Sequence, residues 1–363
     1  MSFFKKLFGA SSSEKSVKKG TCLLEIEDII PLTEDTVKIV FDVPQEEKED
    51  FVFVPGQYLT VILNIDGKEE RRSYSICSGI DEPLAVAVKK VEKGIVSTWM
   101  NEVAKIGDEV MVAYPMGNFK LTDIGGSYVA FAAGSGITPI MAMAKSIALG
   151  KQGSLKLFYG SKTKDTVIFH KQLEELSTKG VQTHYLLSRE SVEGFDHGKL
   201  DADKVSEIIK NNLEILKSDG FYICGPEEMI YTVQNALQTF GVLEDKIHFE
   251  LFTTPTIMKN VKKTSVANFE GTSEVTIILD DERTTFELDI NGDTILNELD
   301  GHGVDAPYSC RGGVCSTCKA KVIEGAATMD NNMSLTDSEI EEGFILTCQA
   351  HPASEKVVIS YDE

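Results

Sequence analysis

The 363-residue chain predicts a multidomain protein of three consecutive units: an antiparallel barrel, a parallel-sheet α/β unit, and a small acidic unit that carries cysteines. Three observations predict this. The length exceeds what one ordinary hydrophobic core serves, so two or three domains are expected. Near residue 124 the pattern changes from short β-branched runs to strands alternating with helices. Four of the seven cysteines fall between residues 310 and 348, inside the most acidic third of the chain.

Residues 1–20 read as a tail. Phe3, Phe4, Leu7 and Phe8 beside Lys5 and Lys6 make it basic and apolar. It spans only one or two helical turns and lacks the apolar core and cleavage site of a secretory signal. A membrane-surface anchor is one reading. A frayed end is the reading favoured by the Ser-rich stretch at 10–16, which has linker composition. No stretch approaches the roughly 20 apolar residues of a spanning helix. No transmembrane segment and a cytoplasmic location are expected.

Residues 21–123 carry β-branched runs at 22–30, 36–41 and 58–63, separated by turn residues such as Asp66-Gly67. Many short strands at this spacing predict an antiparallel barrel. Residues 124–252 differ. A buried strand is expected at 128–133, then a Gly-rich turn and an apolar helix at 139–149. Strands at 155–159, 182–187 and 220–224 alternate with helices near 169–176 and 203–211, which implies a parallel sheet. Residues 253–268 are polar without period and read as a linker. In 269–363 a hairpin of 274–279 and 285–290 flanks Asp280-Asp-Glu-Arg283. A helix at 294–300 follows, with Thr294 or Asp293 as cap.

The net charge is −21, which disfavours nucleic acid as a partner. From Ser265 onward there are 20 acidic and 5 basic residues, a balance of −15, against −6 for the rest. Such a segment serves solubility or steers the unit toward a basic docking patch.

Cys310-Arg-Gly-Gly-Val-Cys315-Ser-Thr-Cys318 is followed, after 29 intervening residues, by Cys348. This four–two–distant spacing is that of a plant-type [2Fe-2S] cluster held by four thiolates. Gly312 and Gly313 allow close approach to inorganic sulfide, and loop N–H groups can donate to the sulfurs. The alternative is a four-Cys zinc site, but those pair two Cys-x-x-Cys knuckles and only one is present. Cys22, Cys77 and Cys224 read as small buried residues.

Several further motifs carry a family resemblance. They are Pro55-Gly-Gln-Tyr58, Arg72-Ser-Tyr-Ser75, Gly94-Ile-Val-Ser97, Ala133-Gly-Ser-Gly-Ile-Thr-Pro139, Tyr222-Ile-Cys-Gly-Pro226 and Glu250-Leu-Phe252. Residues 21–252 resemble the ferredoxin–NADP reductase superfamily, and residues from 269 resemble a plant-type ferredoxin. The combined order is similar to reductases of the phenylacetyl-CoA ring epoxidase type. The resemblance implies a Greek-key flavin barrel, an α/β nucleotide domain and a β-grasp ferredoxin.

It also implies roles. Arg72 pairs with the flavin pyrophosphate, Tyr74 lies against the isoalloxazine, and Ser75 bonds near N5. Gly94, Val96 and Ser97 form a second phosphate segment. Gly134, Gly136 and Thr138 admit the nucleotide pyrophosphate. Cys224, with Gly225 and Pro226, positions the nicotinamide. Glu250 joins Ser75 and Cys224 at the catalytic centre, and Phe252 covers the flavin face. Family members with Tyr at that place end there, whereas this chain continues. Ser188 and Arg189 resemble the pair that holds a 2′-phosphate, which points to NADPH over NADH.

The expected cofactors are FAD rather than FMN, a [2Fe-2S] cluster on Cys310, Cys315, Cys318 and Cys348, and NADPH. The expected function is a relay from NADPH through FAD and the cluster to a partner oxygenase of the di-iron epoxidase type, docked through the acidic unit. Alternatives are the reductase of an aromatic-ring dioxygenase, an electron-transfer subunit of a metabolic dehydrogenase, and a redox-sensing module without turnover. The long gap to Cys348 argues against the dehydrogenase subunit.

Overall fold

A computed structural model describes residues 20–254 and 269–363. The tail expected at 1–20 lies outside the described residues up to residue 19, as does the expected linker from 255 to 268.

The first unit is a six-stranded antiparallel sheet: β1 (Thr21–Thr33), β2 (Thr36–Asp42), β3 (Tyr58–Ile65), β4 (Lys68–Ser75), β5 (Ala85–Lys89) and β6 (Glu109–Met116), in the order β4-β3-β6-β1-β2-β5. Its two edges meet through a bridge between Ile76 and Val86, and Cys77 N–H donates to Ala85 C=O at 2.9 Å, so the sheet closes into a barrel. Alternating residues such as Leu24, Ile26, Leu59, Val61, Val110 and Val112 fill the interior, as a sheet with one buried face requires. Asp66 and Gly67 both take positive φ in the two-residue β3–β4 turn. That turn matches the strand twist and fixes the register in which Tyr58 faces Ser75. Between β5 and β6 the helix α1 (Ile95–Thr98) is a single turn, continued by a wider π-turn over Trp99–Val103.

The second unit runs β7 (Ser127–Ala133), α2 (Ile137–Gly150), β8 (Ser154–Ser161), α3 (His170–Leu176), β9 (Val181–Leu187), β10 (Asp196–His197), α4 (Ala202–Asn211), β11 (Gly220–Cys224), α5 (Glu227–Thr239) and β12 (Ile247–Glu250). All six strands are parallel, in the order β10-β9-β8-β7-β11-β12. Residues 128–132 are continuously buried, as befits a strand covered on both faces. Strand order reverses between β7 and β11, so a crevice opens at their carboxyl ends. Asp201 caps α4, its carboxylate accepting from Lys204 N–H at 3.0 Å.

The third unit holds β13 (Thr272–Leu279), β14 (Glu282–Asp289), α6 (Ile295–Gly301), β15 (Lys319–Glu324), β16 (Ala327–Met329), α7 (Asp337–Glu341), β17 (Phe344–Leu346), β18 (Ala350–Pro352) and β19 (Lys356–Ser360). Its main sheet is ordered β14-β13-β19-β15-β17, with β13 and β19 parallel, and α6 buries Ile295, Leu296 and Leu299 against it. This is the β-grasp arrangement. The hairpin turn is tighter than expected. Asp280 and Asp281 alone make it, both at positive φ, and Glu282 and Arg283 continue the ladder. Thr294 occupies the cap position of α6 without a capping side-chain bond, while Asp293 Oδ1 accepts from Thr294 N–H and from Asn297 Nδ2. No helix among the described residues is long and apolar enough to cross a membrane.

Candidate functional site

Strand β4 sends successive side chains to opposite faces. Tyr74 lies on one face, against the barrel core. Arg72 shares that face; it is 51% exposed, pairs with Glu70 at 3.0 Å and donates to Arg71 C=O at 2.7 Å. Helix α1 packs beside this strand. Gly94 stands at its N-cap and Val96 is buried. The Ser97 hydroxyl accepts from Val91 N–H at 3.1 Å and donates to Gly94 C=O at 3.3 Å, closing the 91–97 loop.

On the opposite face, Ser75 donates to Glu250 Oε2 at 3.1 Å. Glu250 ends β12 opposite Cys224, which ends β11. Desolvation pushes the Glu250 carboxyl up to about 8, with the Ser75 hydrogen bond opposing. Burial, and then the nearby Glu250, push the Cys224 thiol well above its ordinary range. Ser75 and Glu250 border an open cavity of about 590 Å³, as do Arg72, Phe252, Cys310 and Cys315. Phe252 is 43% exposed there. A smaller cavity of about 140 Å³ also touches Glu250, Tyr58 and Cys315.

At the crevice, Gly134 takes φ +55° with open space where a Cβ would point, and its carbonyl accepts from the Tyr159 hydroxyl at 3.1 Å. A Cβ on Gly136 would lie 2.1 Å from Cys224 O, so only glycine lets the β7–α2 turn approach the end of β11. Thr138 is buried and donates to Ser135 C=O at 3.0 Å. Gly225 packs on Met229, and Pro226 starts α5. Ser188 and Arg189 sit elsewhere, beyond β9. Their N–H groups donate to Ser161 and Lys162 carbonyls, and the Arg189 side chain is exposed. The neighbouring Glu190 carboxylate accepts from Lys164 N–H.

The four expected cysteines come together. Thiol contacts link Cys315 to Cys310, Cys310 to Cys348, and Cys348 to Cys318. Among the described residues no group of three or more His, Cys, Asp or Glu side chains is arranged around one metal-ion position. Gly312 N–H donates to Cys310 Sγ at 3.3 Å and Cys310 N–H to Cys315 Sγ at 3.5 Å. Contacts with the Cys315 and Cys348 thiols, reinforced by the Gly312 and Val314 N–H groups, pull the Cys310 thiol down toward thiolate. Four thiols with inward N–H donors fit a binuclear iron–sulfur cluster. The larger cavity, with Arg72, Ser73, Ser75 and Glu250 as polar and Tyr58, Phe252 and Tyr308 as aromatic lining, suits a flavin ring, while Tyr74 and the Gly94–Ser97 segment do not border it.

Two residues stand out that the motifs did not single out for a role. Tyr58 is buried, and its hydroxyl donates to Cys315 C=O and lies 3.0 Å from Thr317 Oγ1. Arg71 is only 5% exposed and reaches Asp305 of the third unit at 2.6 Å. The signal was present in Arg71-Arg72. Adjacent strand residues face opposite ways, so two arginines cannot serve one phosphate.

Residues 23–121 match the oxidoreductase FAD-binding domain family, 131–235 the oxidoreductase NAD-binding domain family, and 277–353 the 2Fe-2S iron-sulfur cluster binding domain family. The chain is 36% identical to one of the subunits of the 1,2-phenylacetyl-CoA epoxidase of Escherichia coli K12, over 91% of this chain and 94% of that protein. It is 30% identical to the ferredoxin reductase component of 3-ketosteroid-9-alpha-monooxygenase from Rhodococcus rhodochrous, over 93% and 96%. Phthalate dioxygenase reductase, described as a modular structure for electron transfer from pyridine nucleotides to [2Fe-2S], superposes with a TM-score of 0.58 at 25% identity, over 94% of this chain and 98% of that one.

Proposed function

Because this chain belongs to the family of oxygenase reductase components built from FAD-binding, NAD-binding and [2Fe-2S] domains, we propose that it carries electrons from NADPH to a di-iron oxygenase of the phenylacetyl-CoA epoxidase type. The observation that carries the reading is the cavity bordered jointly by the flavin strand, by Glu250 and Phe252, and by Cys310 and Cys315. Hydride acceptor, hydride donor and one-electron carrier require that proximity.

When bound, FAD supplies the conversion between electron pairs and single electrons, and the cluster supplies one-electron carriage. The chain's residues do the rest. Arg72 and the Gly94–Ser97 segment, including Val96, hold the flavin phosphates, a task suited to a forked guanidinium. Tyr74 supports the ring. Ser75 and Glu250 would form a two-member proton path toward the flavin, with Glu250 able to hold a proton near neutral pH. Gly134, Gly136 and Thr138 admit the dinucleotide pyrophosphate at the strand-order reversal. Cys224, Gly225 and Pro226 would back the nicotinamide, and Phe252 would cover the flavin face. Ser188 and Arg189 select the 2′-phosphate. Cys310, Cys315, Cys318 and Cys348 hold the irons, and the acidic third unit docks a basic face of the oxygenase.

Anaerobic NADPH titration of the purified holoprotein tests the relay, followed by addition of candidate oxygenases. Flavin and cluster absorbance should bleach, and a phenylacetyl-CoA epoxidase oxygenase should accept the electrons faster than an aromatic-ring dioxygenase. Unchanged spectra reject the relay, and preference for the dioxygenase reassigns the partner.

A further inference from the structure

We propose that Arg71 is a positioning residue: its guanidinium fixes the cysteine loop against the flavin strand and so sets the rate at which electrons pass between the two cofactors. This rests on the FAD and [2Fe-2S] reading above.

Arg71 lies one residue before Arg72 and points to the other face of β4. It is almost fully buried, yet its donors are occupied from both sides of a domain boundary. Glu69 of the barrel accepts from Nε at 2.6 Å, Asp305 of the third unit accepts from Nη2 at 2.6 Å, and Ala306 C=O lies 3.5 Å from Nη1. Its guanidinium carbon lies 4.2 Å from the Tyr308 ring centroid. Arg311 lies 4.0 Å from the same centroid and pairs with Asp300 at 2.6 Å. Both guanidiniums thus lie over the Tyr308 ring. Tyr308 and Arg311 flank Cys310. A flavin-strand cation and a cluster-loop cation therefore grip one aromatic ring.

Three considerations make this a positioning device. Domains joined by a linker move relative to one another by default unless the interface holds them. A buried guanidinium is costly unless its partners stay in place, which makes the contact all-or-none. The planar fork and ring stacking fix orientation in a way an ammonium cannot. Ser73 Oγ bonds Ser309 Oγ at 2.8 Å on the same face and follows the same register. During the step one electron leaves the reduced flavin and enters the cluster; no bond or proton changes at Arg71.

The test uses the full-length holoprotein with FAD, iron and sulfide quantified. In Arg71→Met, flavin reduction by NADPH should stay within about twofold of wild type, while the flavin-to-cluster phase slows by about tenfold or more in stopped flow. Arg71→Lys should recover only part of the rate, and the charge swap Arg71→Asp with Asp305→Arg should recover more. Small-angle scattering of the oxidised protein should show Arg71→Met more extended than wild type, while the paramagnetic resonance of its chemically reduced cluster keeps the wild-type g values. Should Arg71→Met lose cofactor, Asp305→Asn breaks the same tie from the other side and is read instead. A wild-type inter-cofactor rate in fully loaded Arg71→Met, or in Asp305→Asn where that is read, overturns the proposal. Failure of NADPH to reduce the wild-type flavin overturns the functional reading beneath it.

Discussion

Ser75 and Glu250 end two strands of different units, β4 and β12, and meet through a 3.1 Å hydrogen bond at the rim of the central cavity. The barrel hairpin fixes the position of Ser75, and the parallel pairing of β11 and β12 fixes that of Glu250 beside Cys224. The carboxyl is thereby removed from water, with no cation among the described residues to offset the loss, which is why its affinity for a proton rises.

That pair predicts a pH signature. The folded Glu250 carboxyl titrates near 8 against an ordinary 4.5. Across that interval the folded state holds a proton that the unfolded chain has released. The associated stability is fully present below the lower value and is lost as pH rises through the higher one. Glu250→Gln has no such proton, so between about pH 5 and pH 9 its melting temperature should fall less than that of wild type. Steady-state electron transfer should drop by about 10²-fold or more if the carboxyl carries the proton. Thermal melts and anaerobic turnover at both pH values check this; parallel melting slopes reject the assignment.

Removal of one cluster ligand should separate the units functionally. Cys315 is buried, and its thiol contacts Cys310. Cys315→Ser should abolish the cluster absorbance and the iron content while leaving FAD binding and its reduction by NADPH within about twofold, because Ser75, Glu250 and the flavin strand that border the same cavity are untouched and one sulfur becomes one oxygen. The inter-unit tie at this position is the hydrogen bond from Tyr58 to Cys315 C=O, which a serine backbone retains. Iron analysis and stopped-flow flavin reduction decide it. Equal loss of flavin reduction contradicts the division of labour.

The periodic parts of the chain were the readable parts. The buried run at 128–132 and the alternating runs of the barrel follow their physical period, and the spacing of Cys310, Cys315, Cys318 and Cys348 points to the loop in which the four thiols meet. The strands β15 to β18 were not foreseen, since segments of three to six residues are set by packing and not by pattern; α5 was missed although Met229, Ile230, Val233 and Leu237 make a buried stripe at helical spacing. The inter-unit contacts were least readable. Tyr58 and Cys315 are 257 positions apart, and Arg71 and Asp305 are 234 apart. No local rule links residues so separated.

The crevice predicts a sharp steric effect. A methyl at Gly136 would meet Cys224 O at 2.1 Å and Gly225 N at 2.8 Å, both backbone atoms that cannot turn aside. Gly136→Ala should cost about 1–3 kcal/mol of stability and raise KM for NADPH, since the turn and the end of β11 must part. Flavin content should be unchanged. Calorimetry with KM measurement checks the pair of effects; a variant matching wild type in both refutes the close approach.

The proposed preference for NADPH rests on Arg189. Its side chain is exposed beyond the carboxyl end of β9, while its N–H is tied to Lys162 C=O, so the backbone is fixed and the guanidinium is available. An acidic neighbour could instead claim a ribose diol, which is the usual mark of NADH preference. Glu190 is that neighbour, but its carboxylate is engaged by Lys164 N–H on the β8 side. A guanidinium on a phosphate dianion contributes about 1.5–3 kcal/mol as a charge-assisted hydrogen bond, which is about 10- to 150-fold in KM. Arg189→Ala should therefore raise KM for NADPH by that factor with kcat little changed, and leave KM for NADH within about twofold, because uniform binding is lost without touching the reacting atoms. Steady-state kinetics with both nucleotides decides it, and equal shifts in both would remove Arg189 from the 2′-phosphate site.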